Sequence, residues 1–563
     1  MRLLWTLLIN IWVLVRWPWL ALRRARAAPA GGWIAFTIDG AVVEIARPLP
    51  WWDRRWRATS IHAIRDVVSL AGADRRVRGV LVTIRRLRAG GAIATSLRQA
   101  LMSVRNAGKT LVIYLPEGAG TRELFVASAA DTVLVGPESE VAALGYAVEV
   151  QHIKDTLDRV GIEPEIYARG RYKTAAEFLA SSTMSEAQRE QLEALLDTSF
   201  EALVAALCEG RKRDEATVRA WIDGGPWSAR EAVEQGIVDG VAYEDEVALR
   251  LDPSRKDGAR MVGARAYRTR RRVRFRPWRP RPVIAVVQVH GAIVSRDEER
   301  MLPVADAETI CRTLDGVRED RRVAGVIVHI DSRGGSAAAS DRILHSIRRV
   351  AERKPVIASM GDVAASGGYM AAVGAQSIVA QPTTITGSIG VIAARLVMGR
   401  LLGKLGVATS VVKRGARADM MSPARHLEEA ERAALERHVE ASYRSFLEAV
   451  AAGRNKGVTD IEPLAGGRVW SGRDAAARAL VDELGGFDVA LSRMRQRLGR
   501  TGERAEPVVA GGTAVGDLMS LIPNPMRTLG RGLRSAGVTE LVLAAGQSRE
   551  RVWAWCEVAE REE

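Results

Sequence analysis

Two residues that lie far apart in the chain have the types and settings required for nucleophilic catalysis. Ser366 lies in the stretch "ASGGYM", residues 365–370, where an apolar strand is predicted to turn sharply into a helix. Such a turn presents a serine hydroxyl at a helix N-terminus, a setting similar in principle to the nucleophile elbow of hydrolases. A serine nucleophile needs a base, and no histidine occurs between Ser366 and His426. The alternative interpretation is a small residue that only lets a tight turn close.

An internal repeat indicates another base. The stretch "ADRRVRGVLVTI", residues 73–84, matches "EDRRVAGVIVHI", residues 319–330, and a second matched pair follows further downstream at a similar shift. The chain is therefore interpreted as a tandem duplication, with a first copy over residues 33–250 and a second copy over residues 283–499.

Comparison of the two copies predicts a divided pair of catalytic groups. The turn of the first copy that corresponds to Ser366 contains Arg122 and lacks the serine, whereas Lys173 of the first copy aligns with Ala418 of the second. Each copy thus holds half of a candidate Ser-Lys dyad. A lysine acts as a base only when it is neutral, which requires burial or neighbours that lower its pKa. The alternative is an ordinary surface lysine.

A second glycine-bearing turn offers hydrogen-bond donors. The stretch "DSRGGSAAAS", Asp331 to Ser340, is predicted to follow a strand and open a helix. Amides near Gly334 and Gly335 can approach an anion closely there, which is the geometry of an oxyanion hole. Because such turns are common structural features, this turn alone does not establish catalysis.

The elements around both turns predict an α/β fold. Apolar, β-branched runs at residues 283–289, 323–330 and 355–360 alternate with helical patterns such as residues 338–353. This alternation predicts parallel sheets with helical crossovers, and ligands of such folds gather at the carboxyl ends of the strands.

Composition excludes several classes of protein. With 47% hydrophobic and 26% charged residues, the 563-residue chain is not wholly disordered, and its net charge of +15 favours an anionic partner. The three cysteines, Cys208, Cys311 and Cys556, form no CxxC pair, and the seven histidines show no HExxH spacing. No metal and no cofactor is therefore expected.

Residues 1–30 are interpreted as a membrane anchor. About 20 residues from position 3 are mostly apolar, a length that just crosses a bilayer, but Arg16 and Pro18 interrupt them. A retained anchor is favoured over a cleaved signal peptide. The arginines after the segment favour a cytoplasmic location for the rest of the chain, but the sequence does not decide on which side of the membrane it lies.

Two further segments lie outside the repeats, and a third lies within the first copy. The arginine- and proline-rich residues 251–282 are interpreted as a solvated linker or membrane-surface contact, without a signature for nucleic-acid binding. The aromatic and basic character of residues 49–57 is typical of a segment that lies at a bilayer surface. The tail, residues 500–563, shows no readable role.

An ordered set of motifs resembles the signal peptide peptidase (protease IV) family in its long, tandem-domain form. The motifs are "GRYKTAAEF", "DSRGGSAAAS", "MGDVAASGGYMAA", "TTITGSIGV" and "GRVWSGRDAAARALVDELGGFD". The resemblance implies tandem Clp-protease/crotonase-like α/β domains with a membrane-associated N-terminal segment. It also implies a serine endopeptidase of the cell (inner) membrane, homo-oligomeric as a tetramer, that degrades cleaved signal peptides and other short or unfolded peptides.

The resemblance also assigns roles to residues. It implies Ser366 as nucleophile, Lys173 as general base, Ser388 as the residue that orients the lysine, and the amides of Gly334, Gly335 and Gly367 as oxyanion donors. One departure concerns Arg333, which stands where the family usually has proline, so the oxyanion turn is expected to be less rigid.

Two alternative functions use the same fold. The first is a catalytically silent membrane scaffold, and the second is a crotonase-type acyl-CoA enzyme, which needs a coenzyme A site and has no use for the divided serine and lysine. Peptide substrates and membrane lipids are the expected partners, and nucleic acid is not.

Overall fold

The computed structural model describes residues 2–46, 58–272, 281–296, 304–511 and 553–555, and it divides into two compact units. Unit 1 comprises residues 1–146 and 198–282, and unit 2 comprises residues 147–197 and 283–563. The aromatic and basic segment at residues 49–57 lies outside the described residues.

The secondary-structure elements are numbered along the chain. The helices are α1 (Arg2–Val15), α2 (Trp17–Ala25), α3 (Ile61–Gly72), α4 (Gly91–Asn106), α5 (Thr121–Ala127), α6 (Lys154–Val160), α7 (Glu177–Ala180), α8 (Glu186–Arg211), α9 (Glu215–Gly224), α10 (Ala229–Glu234), α11 (Val247–Leu251), α12 (Ala264–Arg271), α13 (Ala307–Glu319), α14 (Ala337–Ala351), α15 (Gly367–Ala372), α16 (Gly399–Lys404), α17 (Glu429–Arg454), α18 (Val458–Ile461), α19 (Gly472–Ala477), α20 (Phe487–Leu498) and α21 (Arg500–Arg504). The strands are β1 (Gly32–Val43), β2 (Thr59–Ser60), β3 (Val77–Arg88), β4 (Thr110–Leu115), β5 (Ala119–Gly120), β6 (Thr132–Val135), β7 (Glu140–Ala142), β8 (Glu163–Arg169), β9 (Trp227–Ser228), β10 (Gly240–Val241), β11 (Met261–Gly263), β12 (Val283–His290), β13 (Ala292–Val294), β14 (Val304–Asp306), β15 (Val323–Ser332), β16 (Gly334–Ser336), β17 (Val356–Ala365), β18 (Ile378–Ala380), β19 (Ile385–Gly387), β20 (Val391–Val397), β21 (Val469–Ser471), β22 (Glu483–Leu484), β23 (Glu506–Val509) and β24 (Trp553–Trp555).

Unit 1 is built on a parallel sheet with strand order β10-β6-β4-β3-β1-β11, and β2 pairs with β1. Alternate β-branched residues of β3, among them Val80, Val82 and Ile84, are fully buried against the apolar face of α4. Helices follow the strands as crossovers, which is how parallel strands are connected.

Unit 2 repeats this plan with strand order β23-β12-β15-β17-β18-β22, all parallel, while β19 pairs with β17 and β21. On β15, Val326, Val328 and Ile330 are fully buried in one core with Ile343 and Ile347 of α14. The repeated strand order confirms the predicted tandem α/β fold.

A second sheet of unit 2 positions the residues of interest, in the order β14-β13-β16-β24-β20-β8. Strand β8 belongs to residues 147–197, which come from the first sequence repeat but are part of unit 2. It pairs antiparallel with β20 over its whole length, from Glu163 opposite Val397 to Arg169 opposite Val391.

Part of the arginine-rich segment that was interpreted as a linker is ordered structure of unit 1. Strand β11 pairs with β1, and α12 buries Tyr267 completely. The Tyr267 hydroxyl donates to the Leu70 carbonyl at 3.0 Å and contacts Asp74. Burial of this aromatic ring explains why the segment folds despite its charge.

The N-terminal apolar segment forms two helices instead of one. Helix α1 ends at Val15, and α2 begins at Trp17 with Pro18 in its first turn, where proline is well tolerated. Within the described part of the chain, no helix combines the length and the apolar character needed to cross a membrane.

Candidate active site

Ser366 occupies the junction between β17 and α15 in a constrained conformation. Its φ of 56° is in the region that non-glycine residues rarely adopt, and its side chain is fully buried. Its N–H donates to the Gly387 carbonyl at 2.8 Å, and its carbonyl accepts from Met370 at 2.9 Å. Such backbone strain is typical of residues whose side chain must be held at one position.

Lys173 lies on the turn after β8 and is 5% exposed. Its Nζ donates to Ser366 Oγ at 2.8 Å, to Ser388 Oγ at 3.0 Å and to the Ser388 carbonyl at 3.2 Å. All three residues belong to unit 2, so the structure brings together the lysine and both serines that the sequence singled out.

The pairing of β8 with β20 explains how the lysine reaches the serines. Arg169 at the end of β8 lies opposite Val391, which is three residues after Ser388. The side chain of Arg395 on β20, which is 7% exposed, pairs with Glu165 of β8 at 3.0 Å. The register of this ribbon therefore sets the turn of Lys173 against Ser388.

The Gly387–Ser388 dipeptide contacts both members of the candidate dyad. Gly387 accepts the Ser366 amide, and Ser388, whose φ is 51°, contacts Nζ. The Ser388 amide in turn donates to the Arg468 carbonyl at 2.7 Å. Gly387 belongs to the motif "TTITGSIGV", whose residue types do not show that its carbonyl accepts the amide of the nucleophile candidate.

Residues 466–469 contact the turn that carries Lys173, and the sequence did not predict this contact. Gly466 accepts the Tyr172 amide at 2.8 Å, and a Cβ on Gly467 would lie 2.5 Å from the Lys173 amide nitrogen. The motif "GRVWSG" was recognised in the sequence, but nothing in its residue types shows that its backbone packs on the lysine turn.

The two glycine turns adjoin each other. A Cβ on Gly367 would lie 2.3 Å from Ser340 Oγ and 3.3 Å from the Gly334 Cα, and a Cβ on Gly335 would lie 2.1 Å from the Ile293 carbonyl oxygen. A side chain at Gly335 would clash with the backbone of Ile293, and one at Gly367 would clash with the Ser340 hydroxyl. The backbone of both turns therefore approaches the same place in unit 2.

The three predicted oxyanion donors differ in their surroundings. The Gly334 amide donates to Ser332 Oγ at 3.1 Å, and the Ser332 hydroxyl donates to the Gly291 carbonyl at 2.7 Å. The Gly334 amide thus has an acceptor within its own turn. The role of the amides of Gly334, Gly335 and Gly367 stays a prediction.

Buried polar groups support the glycine turn from β15. Asp331 accepts the Val363 amide at 3.1 Å, and burial raises the pKa of its carboxyl group. Burial lowers the pKa of His329 to about 4, so its imidazole is neutral at neutral pH. A ring nitrogen of His329 contacts the Ser359 carbonyl at 3.1 Å, so the side chain of this histidine bonds to the neighbouring strand of the sheet.

Strand β24 shows that an extended backbone fits beside the glycine turn. It runs antiparallel to β16, with Ala554 opposite Gly335, and it also pairs with β20 at Ile392. The edge between β16 and β20 therefore accepts a main chain by strand addition.

Residues 103–256 and 348–500 match the family model described as Peptidase family S49, and together they cover more than half of the chain. This chain belongs to peptidase family S49. The S49 match falls once in each sequence copy, and it confirms the resemblance that the motifs indicated.

Named relatives agree with the S49 assignment. The chain is 29% identical over 494 residues to the serine protease SPPA, chloroplastic, of Arabidopsis thaliana, covering 86% of this chain and 71% of the relative. It is 27% identical over 554 residues to protease 4 of Haemophilus influenzae, covering 93% and 88%. It is 28% identical over 456 residues to protease 4 of Salmonella typhi, covering 78% and 72%.

A solved structure of a membrane-bound stomatin-specific protease with a substrate peptide is 16% identical to this chain, with a TM-score of 0.27. The match covers 43% of this chain and 98% of that chain.

Family and relatives together identify the S49 chain as a serine-type peptidase, and its substrates are peptides. They favour the peptidase interpretation over the silent scaffold and the acyl-CoA enzyme.

Proposed function

We propose that Ser366 and Lys173 form the catalytic dyad of a membrane-associated endopeptidase that degrades cleaved signal peptides and other short or unfolded chains. The observation that carries this proposal is the 2.8 Å contact between a buried hydroxyl and a buried amine. Burial removes hydration from an ammonium group and so favours the neutral amine that a base requires. The signal-peptide substrate rests on the resemblance of the motifs.

In the proposed mechanism, neutral Lys173 takes the hydroxyl proton from Ser366 as its Oγ attacks the substrate carbonyl. The resulting ammonium gives this proton to the leaving amine, and an acyl-enzyme remains. Lys173 then takes a proton from water, which attacks the ester, and it returns this proton to Ser366 Oγ as the second product leaves. Ser388 holds Nζ in place through the 3.0 Å contact between their side chains.

The adjoining glycine turns are the proposed oxyanion site. Because the Gly334 amide already donates to Ser332, the amides of Gly335 and Gly367 are the stronger candidates, and Gly334 has a structural part. One such donor typically contributes about 2.7 to 4 kcal/mol to transition-state stability. A substrate strand between β16 and β20 would place its carbonyl groups along this edge.

Membrane association is proposed from the surface of α1 and α2. The side chains of Trp12, Leu14 and Trp19 are half exposed or more, and Arg16 stacks over both indole rings at 4.8 and 4.9 Å. Aromatic rings beside arginines suit the interface of an anionic bilayer. A location at the cell (inner) membrane and a tetrameric homo-oligomer remain part of the proposal through the family resemblance.

Labelling with a fluorophosphonate probe tests the dyad on the purified full chain. Labelling and peptide hydrolysis should both be lost in Ser366→Ala and in Lys173→Ala, with thermal unfolding close to that of the wild type. Unchanged labelling of Ser366→Ala would exclude Ser366 as the labelled nucleophile, and full activity of Lys173→Ala would exclude the lysine as base.

A further inference from the structure

One buried side chain links the lysine turn to β21, which pairs with β19, whose last residue, Gly387, accepts the Ser366 amide. We infer that Gln191 is a positioning residue that fixes Lys173 at its distance from Ser366. The inference rests on the proposed dyad, and it assigns no contact with substrate to Gln191.

Gln191 lies on α8 within unit 2, and its side chain is 3% exposed. Its Nε2 donates to the Tyr172 carbonyl at 3.2 Å and to the Ala187 carbonyl at 3.1 Å, and its Oε1 accepts the Val469 amide at 2.9 Å. Both amide hydrogens and the oxygen are thus used. Burying a primary amide is unfavourable unless these bonds form, so the site is built around this side chain.

The two main bonds of Gln191 join segments that matter for the dyad. Tyr172 is the residue before Lys173, and Val469 lies opposite Gly387 in the pairing of β21 with β19. Gly387 accepts the amide of Ser366. One side chain therefore connects the backbone of the lysine turn to β21, the neighbour of the strand that accepts the Ser366 amide.

Direct contacts between the same segments are short backbone bonds on a glycine-rich stretch. Gly466 accepts the Tyr172 amide, Gly467 donates to the Ile389 carbonyl at 2.8 Å, and Gly467 packs on Lys173. Glycine backbone is conformationally permissive, so an added side-chain bridge restricts its freedom. Gln191 supplies this restriction from a helix, which is a rigid support.

The second sequence copy lacks this side chain. Helices α8 and α17 have equal lengths of 26 residues, and Ala434 occupies in α17 the position that Gln191 occupies in α8. The glutamine therefore occurs in the copy that carries Lys173, and alanine occurs in the copy that carries Ala418. This pattern is expected if the glutamine serves the lysine.

The test replaces Gln191→Met, which keeps the length and removes the three hydrogen bonds. We expect kcat for peptide hydrolysis to fall about 10- to 100-fold, because displacement of a catalytic group by about 1 Å costs this much, while KM stays within about twofold. The rate of fluorophosphonate labelling should fall in parallel.

Gln188→Met is the matched control on the same helix. Gln188 is also buried, and its Oε1 has no hydrogen-bond partner among the described residues. Its replacement should leave kcat unchanged. The inference is overturned if Gln191→Met keeps kcat within about twofold of the wild type, or if the two variants lose kcat equally.

If the methionine variant does not fold, Gln191→Glu tests the positioning role of Gln191 instead. A protonated carboxyl group can donate to Tyr172 and accept from Val469, whereas a carboxylate can only accept. The charged residues adjacent to the bonded groups are Lys173, Glu190 and Arg468. Activity relative to the wild type should fall as pH rises through the pKa of the new carboxyl group, and a constant ratio would overturn the inference. Full activity of Lys173→Ala would instead refute the dyad itself.

Discussion

At the scale of single residues, the site is a buried amine surrounded by oxygen atoms. Lys173 Nζ has contacts to the hydroxyls of Ser366 and Ser388 and to one carbonyl, all at 3.2 Å or less. Several hydrogen-bond acceptors around an amine fix its orientation, so its lone pair stays directed at the group whose proton it takes. Loss of one acceptor should therefore loosen the amine without removing it.

Ser388→Ala tests the part of the second serine. We expect kcat to fall about tenfold or more, since one hydrogen bond to a charged or reacting group contributes about 1.5 to 3 kcal/mol, with little change in KM. Ser359→Ala is the control, because Ser359 is equally buried and its Oγ has no partner among the described residues. Steady-state kinetics on a peptide substrate measures both, and equal kcat values would contradict the orienting role.

Gly367→Ala tests the tight approach of the two turns. Its new Cβ would lie 2.3 Å from Ser340 Oγ, so the Ser340 side chain or the turn that carries Ser366 must shift, and overpacking of this kind costs about 1 to 3 kcal/mol of unfolding free energy. Activity should fall more than about tenfold because the neighbouring nucleophile moves with the turn.

The control for this variant is Gly316→Ala, since a Cβ on Gly316 in α13 meets no atom within 4 Å. It should leave activity unchanged and stability equal or higher. The double variant with Ser340→Gly should regain part of the activity lost by Gly367→Ala, and a complete lack of recovery would contradict the steric explanation.

At the scale of elements, the β8–β20 ribbon carries the lysine turn, and charged side chains support it. His426 contacts Glu163 at 2.6 Å and Glu165 at 2.8 Å, both on β8. Hydrogen bonding to Glu165 and then to Glu163 raises the pKa of His426, while partial burial opposes this. The protonated imidazole therefore fastens the loop before α17 to β8.

The raised pKa of His426 gives the ribbon a pH-dependent stability. A group whose pKa is higher in the folded protein adds stability that is fully present below its unfolded pKa of about 6.5 and is lost as pH rises through the folded value. The difference in unfolding free energy between the wild type and His426→Gln should thus be larger at pH 6 than at pH 9. Chemical denaturation at both pH values measures it, and a difference that grows with pH would contradict the argument.

Strand β24 occupies the edge that the proposal assigns to substrate. Ala554→Pro removes the amide opposite Gly335, and proline cannot donate to a sheet. KM for a short peptide should fall about fivefold, since one hydrogen bond contributes about 1 kcal/mol to the competing strand, while kcat stays constant. Ala544→Pro, outside the described residues, is the control, and an unchanged KM for Ala554→Pro would show that β24 does not compete with substrate.

At the scale of the whole molecule, a segment of the first repeat completes the unit formed by the second. Residues 147–197 supply β8, Lys173 and Gln191 to unit 2, which also contains Ser366 and Ser388. The candidate serine and the candidate lysine come from different sequence copies and therefore meet within one unit.

The N-terminal helices carry the prediction on membrane association. The variant Leu14→Glu with Trp19→Glu should lose most of its flotation with vesicles of anionic phospholipid, because both side chains are about half exposed or more and charge is costly in a bilayer. Leu144→Glu is the control, since Leu144 is 57% exposed in another part of unit 1. Equal flotation of all three proteins would contradict the assignment of this surface.

Local patterns predicted much of this structure. Apolar periodicity and the placement of glycines predict the alternating strands and helices, the repeat and the strand-to-helix turn of Ser366. The structure has β17, Ser366 and α15 in that order. The repeat indicates Lys173, because the second copy has alanine at the corresponding position. These features depend on residue types and on neighbours close in sequence, which a sequence displays directly.

Tertiary structure alone decided which groups meet. The bonds from Gln191 to Tyr172 and Val469, the packing of Gly467 on Lys173, and the bond from the Gly334 amide to Ser332 are all contacts with backbone groups. Every residue type except proline offers the same backbone amide and carbonyl, so the backbone partners in such contacts leave no mark in the sequence. The sequence alone therefore determined the fold and the candidate dyad, and folding determined the support that holds its two members 2.8 Å apart.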